Sequence, residues 1–191
     1  MIDYDGFVSD WRAAKVIPAG LQGLIDLVKS SVKKSDKMVE LGCGNGIVTA
    51  ALTDAGYDIV GVDRKYPGVE IPFLLIDAKG DEPLFVKPVL DVNDVVVEKI
   101  KPGWSADFFA LLSERDVIVA RRSLCLMYSD EWTARLNESP VKMMVIESLD
   151  GEKHRFRSSV IEGAYLESHG WEVTRDGKYL VASRKTPKKP H

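Results

Sequence analysis

The apolar positions of this chain fall into helix-spaced and strand-like runs that alternate along its length. Leu21, Leu24, Ile25, Val28 and Val32 recur on one helix face, with Gln22, Asp26, Lys29 and Lys33 opposite. A short apolar run at 38–41 reads as a buried strand. A helix with Ile47, Ala50, Ala51 and Ala55 on one side follows, stopped by Gly56. Residues 58–62 then form a second strand ending in an acid, Asp63. After an irregular stretch, 71–77 reads as a third short strand.

The second half repeats the alternation. Ser105 is placed to cap a helix through Ser113, buried through Phe108, Phe109, Leu111 and Leu112. Residues 116–120 form a continuous apolar run suited to a sheet centre. A helix opens at Ser129 with acids in its first turn and ends before Pro140; a fifth strand follows at 141–146. Ser159 and Glu162 have the spacing of a capping box for a helix that Gly170 ends. The chain then predicts a hairpin from Trp171 to Arg184, turning at Asp176-Gly177. Residues 80–103 fit the alternation least: β-branched runs are broken by Pro83, Pro88 and Pro102, as in an extra hairpin or a displaced third strand.

Composition changes this picture little. With 191 residues, 45% hydrophobic and 29% charged, the chain can bury one sizeable core. A net charge of −3 lacks the basic balance of a dedicated nucleic-acid binder. Two cysteines, Cys43 and Cys125, build neither a disulfide framework nor a metal cluster and fit a reduced, cytoplasmic protein. No stretch has the length of a membrane span, and the first residues carry no signal pattern. The organisation expected is an N-terminal helical segment over 1–36, the main domain over 37–185 and a disordered tail over 186–191.

The candidate chemistry lies between the first two strands. Gly42, Gly44 and Gly46 occupy every second position of the loop, where missing Cβ atoms let backbone approach a ligand. The spacing is not the Gly-x-Gly-x-x-Gly of dinucleotide sites, and the acid Glu40 would repel a pyrophosphate while attracting an amine or cation. Asp63 follows the last glycine by 63 − 46 = 17 residues, placed to accept hydrogen bonds from ribose hydroxyls. A glycine-rich turn with no ligand is the plain alternative.

Glu40-Leu41-Gly42-Cys43-Gly44-Asn45-Gly46, with Asp63 closing the next strand, resembles motif I of the class I S-adenosylmethionine-dependent methyltransferases. The resemblance implies an α/β fold of three layers, Rossmann-like, around a seven-stranded, mostly parallel sheet whose last strand is antiparallel. It implies S-adenosylmethionine as cofactor, bound by Glu40, Gly42, Cys43, Gly44, Gly46, Asp63, Arg64 and Arg121, with Asp77 and Ala78 on the adenine side. Asp77 follows Asp63 by 77 − 63 = 14 residues, a short gap for the family, and Asp91 takes its place if the third strand lies later. Residues leaving the fourth strand face the substrate in that family, which marks Arg121, Arg122, Ser123 and Tyr128. The two arginines either receive an acidic substrate group or pair with Glu114 or Asp130. Tyr4 and Trp11 either close over the cofactor or pack outside.

The acceptor is not specified. The Asn/Asp-Pro-Pro-Tyr/Phe sequence of DNA and glutamine amine methylases is missing, and no Pro-Cys pair marks a cytosine nucleophile. Small-molecule, RNA and protein acceptors stay open. The basic loop with Lys153, His154, Arg155 and Arg157 is either solvated or meets an anion, and His154 is the histidine best placed as a base. Two other classes of function stand beside methyl transfer: a non-catalytic subunit of the same fold, and a nucleotide-dependent oxidoreductase.

Overall fold

The computed structural model describes residues 17–64, 71–75, 105–124, 128–148 and 158–184. The expectations for Tyr4, Trp11, residues 80–103, Asp91, Cys125, the basic loop with His154 and the tail lie outside these residues. In chain order the elements are α1 (Ala19–Ser31), β1 (Lys37–Leu41), α2 (Ile47–Asp54), β2 (Asp58–Asp63) and β3 (Phe73–Leu75). They continue with α3 (Ser105–Leu112), β4 (Val117–Arg121), α4 (Asp130–Glu138), β5 (Met143–Glu147), α5 (Ser159–Ser168), β6 (Trp171–Asp176) and β7 (Tyr179–Arg184).

The strands form one sheet in the order β3-β2-β1-β4-β5-β7-β6. β3, β2, β1, β4 and β5 pair in parallel, and β7 runs antiparallel to both neighbours. Alternation along each strand explains the layers. Val39, Leu41, Ile118, Ala120, Met144 and Ile146 pack with α3, α4 and α5 through Phe108, Leu112, Trp132, Leu136 and Leu166. Met38, Val117, Val119 and Val145 pack on the opposite face against α1 and α2. The stripe predicted for α1 is buried throughout, from Leu21 to Val32. The result is the expected three-layer α/β fold with a seven-stranded sheet. Among the described residues, no helix is long and apolar enough to cross a membrane.

Two local readings are corrected. The hairpin turns at Gly177 and Lys178, because Asp176 and Tyr179 are paired across it. Gly177 has φ +57 while Lys178 does not share a positive φ, the pattern of a turn with glycine in its first central position. The capping box also gives way. Ser158 caps α5 by accepting from Ile161 N, while the Ser159 hydroxyl donates to Gly177 O at 2.5 Å. Glu162 turns inward, fully buried, and accepts from Tyr128 Oη at 3.0 Å and Ser148 Oγ at 2.5 Å. Burial pushes its pKa up, against the two hydroxyls that lower it. Both changes come from tertiary partners that outcompete a local bond of similar strength.

The hairpin is fastened to α4 at its far end. The Arg184 guanidinium donates to the carbonyls of Leu136, Asn137, Ser139 and Val141 at 2.7–3.0 Å. It lies over the Trp171 ring, whose Nε1 donates to Asn137 Oδ1 at 3.0 Å. Two of these carbonyls, Leu136 and Asn137, belong to the last turn of α4, which leaves acceptors unpaired inside the helix. Arg184→Ala is expected to cost about 2 kcal/mol, the scale of charge-assisted bonds lost from partly buried acceptors. Urea unfolding of both proteins measures it, and Arg184→Lys should recover only part, since an ammonium cannot span the same fork.

Candidate functional site

The sheet order reverses direction between β1 and β4. β1 leads outward through β2 to β3, whereas β4 leads the other way through β5. Ligands of open parallel sheets bind in the crevice outside the carboxyl ends of the strands at such a point. The glycine loop leaves β1 here, and residues 121–123 leave β4 beside it.

The loop is folded back onto the end of β2. Gly42 N and Cys43 N both donate to Val62 O, at 2.8 and 3.1 Å, and Gly46 N donates to Cys43 O at 2.9 Å. Gly44 N donates to the Asp63 carboxylate at 2.9 Å. All three glycines have positive φ, at 70°, 55° and 73°. At Gly42 the demand is twofold, since a Cβ there would also lie 2.6 Å from Ser123 Cβ. At Gly44 a Cβ would meet nothing within 4 Å, so the backbone borders open space beside Asp63. Four loop amides are thus committed within the protein. They do not converge as a phosphate-binding nest does.

Beneath the loop lies a compact polar core. Glu40 is 2% exposed, and Thr49 from α2 donates its hydroxyl to Glu40 Oε2 at 2.5 Å. Burial pushes the Glu40 pKa up to about 7, the Asp63 charge adds to this, and Thr49 and Arg121 oppose it. Cys43 is buried too, its thiol pKa raised by burial and by the Glu40 and Asp63 charges. Gly61 on β2 provides the room: a Cβ there would come within 3.0 Å of both Cys43 Sγ and Thr49 Oγ1.

Glu40, Gly42, Cys43, Gly44, Gly46 and Asp63 therefore meet at one place. Arg64 follows Asp63 as an exposed residue, and Asp77 and Ala78 lie outside the described residues. Arg121 ends β4 next to the loop, but its partner corrects the sequence reading. Arg121 Nε donates to Glu147 Oε2 at 3.1 Å, and Glu147 belongs to β5; the sequence left open an acidic substrate group or an ion pair with Glu114 or Asp130, and the ion pair is made with neither of those two acids. Arg122 Nε donates to the other oxygen of Glu147 at 3.0 Å. Ser123, marked as substrate-facing, donates its hydroxyl to Leu41 O at 2.5 Å and braces the start of the loop. Tyr128 joins the buried Glu162.

Sequence reasoning missed Thr49, Glu147 and Lys178. Glu147 had a readable signal, because an acid closing an apolar strand is the pattern that marked Asp63. Thr49 and Lys178 had none, being ordinary polar residues of a helix and a turn.

No protein-family model matches the sequence, and no curated protein matches it. Solved structures do. Magnesium protoporphyrin IX methyltransferase from Synechocystis PCC 6803, with S-adenosylmethionine bound, is 14% identical with a TM-score of 0.55 over 97% of this chain and 99% of that one. A S-adenosylmethionine-dependent methyltransferase from Aquifex aeolicus is 14% identical with a TM-score of 0.52 over 96% and 97%. The 1,6-didemethyltoxoflavin-N1-methyltransferase of Burkholderia thailandensis, with bound 1,6-didemethyltoxoflavin and S-adenosylhomocysteine, is 13% identical with a TM-score of 0.51 over 96% of this chain and 87% of that one. At such identities the likeness is one of architecture: the chain has the class I methyltransferase fold.

Proposed function

We propose that this protein binds S-adenosylmethionine at the ends of β1 and β2 and transfers its methyl group to an acceptor held at the ends of β4 and β5. One observation carries this reading: the Asp63 carboxylate, tied to Gly44 N, borders the open side of a glycine loop at the sheet's switch point. The committed loop amides favour a ligand without a pyrophosphate, which speaks against a dinucleotide. An acid there accepts ribose hydroxyls. On this reading Asp63 holds the ribose, Gly42, Gly44 and Gly46 give backbone access, and Arg64, Asp77 and Ala78 belong to the adenosine side. Cys43 serves through its buried side chain, which seats the loop on β2. Two of the similar structures are named for small-molecule acceptors, and we assign an acceptor of that class here.

The bound cofactor supplies an electrophilic methyl on a sulfonium. The chain has to align the nucleophile and exclude water, and a base is needed only for a strongly held proton. The buried Glu40, bonded to Thr49, ties β1 to α2 and so sets the shape of the loop between them.

Calorimetry with S-adenosylhomocysteine is the direct test. Saturable one-to-one binding is expected, and Asp63→Ala should weaken it at least about ten-fold, the scale of one hydrogen bond to a charged group. A folded protein that ignores the ligand would point to a non-catalytic subunit. Tighter binding of a nicotinamide dinucleotide would replace methyl transfer by redox chemistry.

Glu40 makes stability depend on pH. Its folded pKa of about 7 lies above the ordinary 4.5, so between these values the folded protein keeps a proton that the unfolded chain gives up. The stability held by the neutral carboxyl is complete below about pH 4.5 and is lost as the pH rises through about 7. Urea unfolding across this window should show the native protein losing up to about 3 kcal/mol relative to Glu40→Gln. Parallel pH profiles for the two proteins would remove the assignment.

A further inference from the structure

Four side chains from three elements meet where β4, β5 and the β6–β7 turn reach the loop edge of the sheet. Glu147 ends β5, and its side chain is fully buried. Its Oε2 accepts from Arg121 Nε at 3.1 Å; its Oε1 accepts from Arg122 Nε and Lys178 Nζ, both at 3.0 Å. Register brings them together. Arg121 pairs with Glu147 across β4 and β5, and Glu147 pairs with Tyr179, the residue after Lys178. Arg122 adopts φ +56, a left-handed conformation uncommon outside glycine, and its amide donates to Glu147 O at 2.7 Å.

A buried carboxylate needs a cation, and one would neutralise it. Arg121 and Lys178 alone are more than burial of Glu147 demands. Counting Glu147, Arg121 and Lys178, the charge is +2 − 1 = +1. Donor use points the same way. A guanidinium that serves only to pair a carboxylate favours a two-pronged grip, but Arg121 reaches Glu147 through Nε alone. The two terminal amino groups of Arg121 have no partner among the described residues, and its side chain is 32% exposed. Lys178 gives one of its three protons to Glu147 and is 37% exposed. The cluster adjoins the cofactor crevice, since Ser123, next to Arg122, touches the start of the glycine loop.

We propose that Arg121, Arg122 and Lys178 form an anion shelf for a carboxylate or phosphate group of the methyl acceptor, with Glu147 as the positioning residue that holds all three. The shelf's role in the reaction rests on the methyl-transfer reading, but its anion binding does not. Glu147 fixes Arg121 and Lys178 by one bond each and leaves the terminal amino groups of Arg121 and the further protons of Lys178 for the ligand. Such an acceptor would approach the sheet edge with its anionic group on β4 and β5 and its nucleophile toward β1.

The test uses benzoate and phenyl phosphate as probes, with benzamide as the uncharged control. Nε–H resonances of Arg121 and Arg122 are followed by nitrogen-15 NMR in protein saturated with S-adenosylhomocysteine, and again in ligand-free protein. A saturable shift with benzoate or phenyl phosphate, and none with benzamide, is expected. Lys178→Met should weaken it about ten-fold, the loss of one charge-assisted bond, and Lys178→Arg should restore it. Absence of a saturable shift with both anions, or an equal shift with benzamide, overturns the shelf. So does anion binding in protein saturated with 5′-methylthioadenosine that S-adenosylhomocysteine abolishes, because the shelf would then hold the cofactor's own carboxylate. Failure of S-adenosylhomocysteine to bind at all defeats the proposed function, while the ligand-free titration still decides whether the shelf takes anions.

Discussion

The site depends on a single carbonyl. Val62 O receives the amides of Gly42 and Cys43, and this pair of bonds folds the loop back over the end of β2. Once folded, the loop has to run through positive φ at its glycines, press Gly42 against Ser123 and bring Gly44 to Asp63. The same bonds consume the donors that would otherwise face a phosphate. A loop built to hold its own shape sets bare backbone at Gly44 beside the Asp63 carboxylate.

Among the described residues, three buried glutamates lie along or behind this edge, and their partners differ in kind. Glu40 is bonded to a threonine hydroxyl and holds its proton to about pH 7. Glu162 is bonded to Tyr128 and Ser148, and its pKa is likewise raised by burial. Glu147 instead has cations on both oxygens. Neutral hydroxyls offset only part of the desolvation of a carboxylate, whereas cations answer its charge directly. The crevice is therefore polarised: the β1–β2 side carries acids, and the β4–β5 side carries positive charge.

The antiparallel strand makes that polarisation possible. β7 enters the sheet beside β5 with its first residue at the edge where β5 ends, so the turn before it delivers Lys178 to Glu147. At the other end of β7, Arg184 closes the carbonyls at the end of α4 and lies over Trp171. This strand and the turn before it thus supply a cation at the end of β5 and a clamp at the opposite edge.

What the sequence determined by itself was local. The strand, glycine loop, helix, strand and acid between Met38 and Asp63 are set by backbone freedom and apolar periodicity within a few residues of each position, and the structure assembles them as expected. The helix stripe from Leu21 to Val32 was readable for the same reason. Only the tertiary structure decided the partners of Arg121, Arg122 and Lys178, which lie 26, 25 and 31 residues from Glu147 in the chain. It also moved the hairpin turn by one residue and drew Glu162 from a helix cap into the interior. Periodicity specifies which face of an element is buried. Charge pairing follows from which strands become neighbours and in what register, and that is settled when the whole sheet forms.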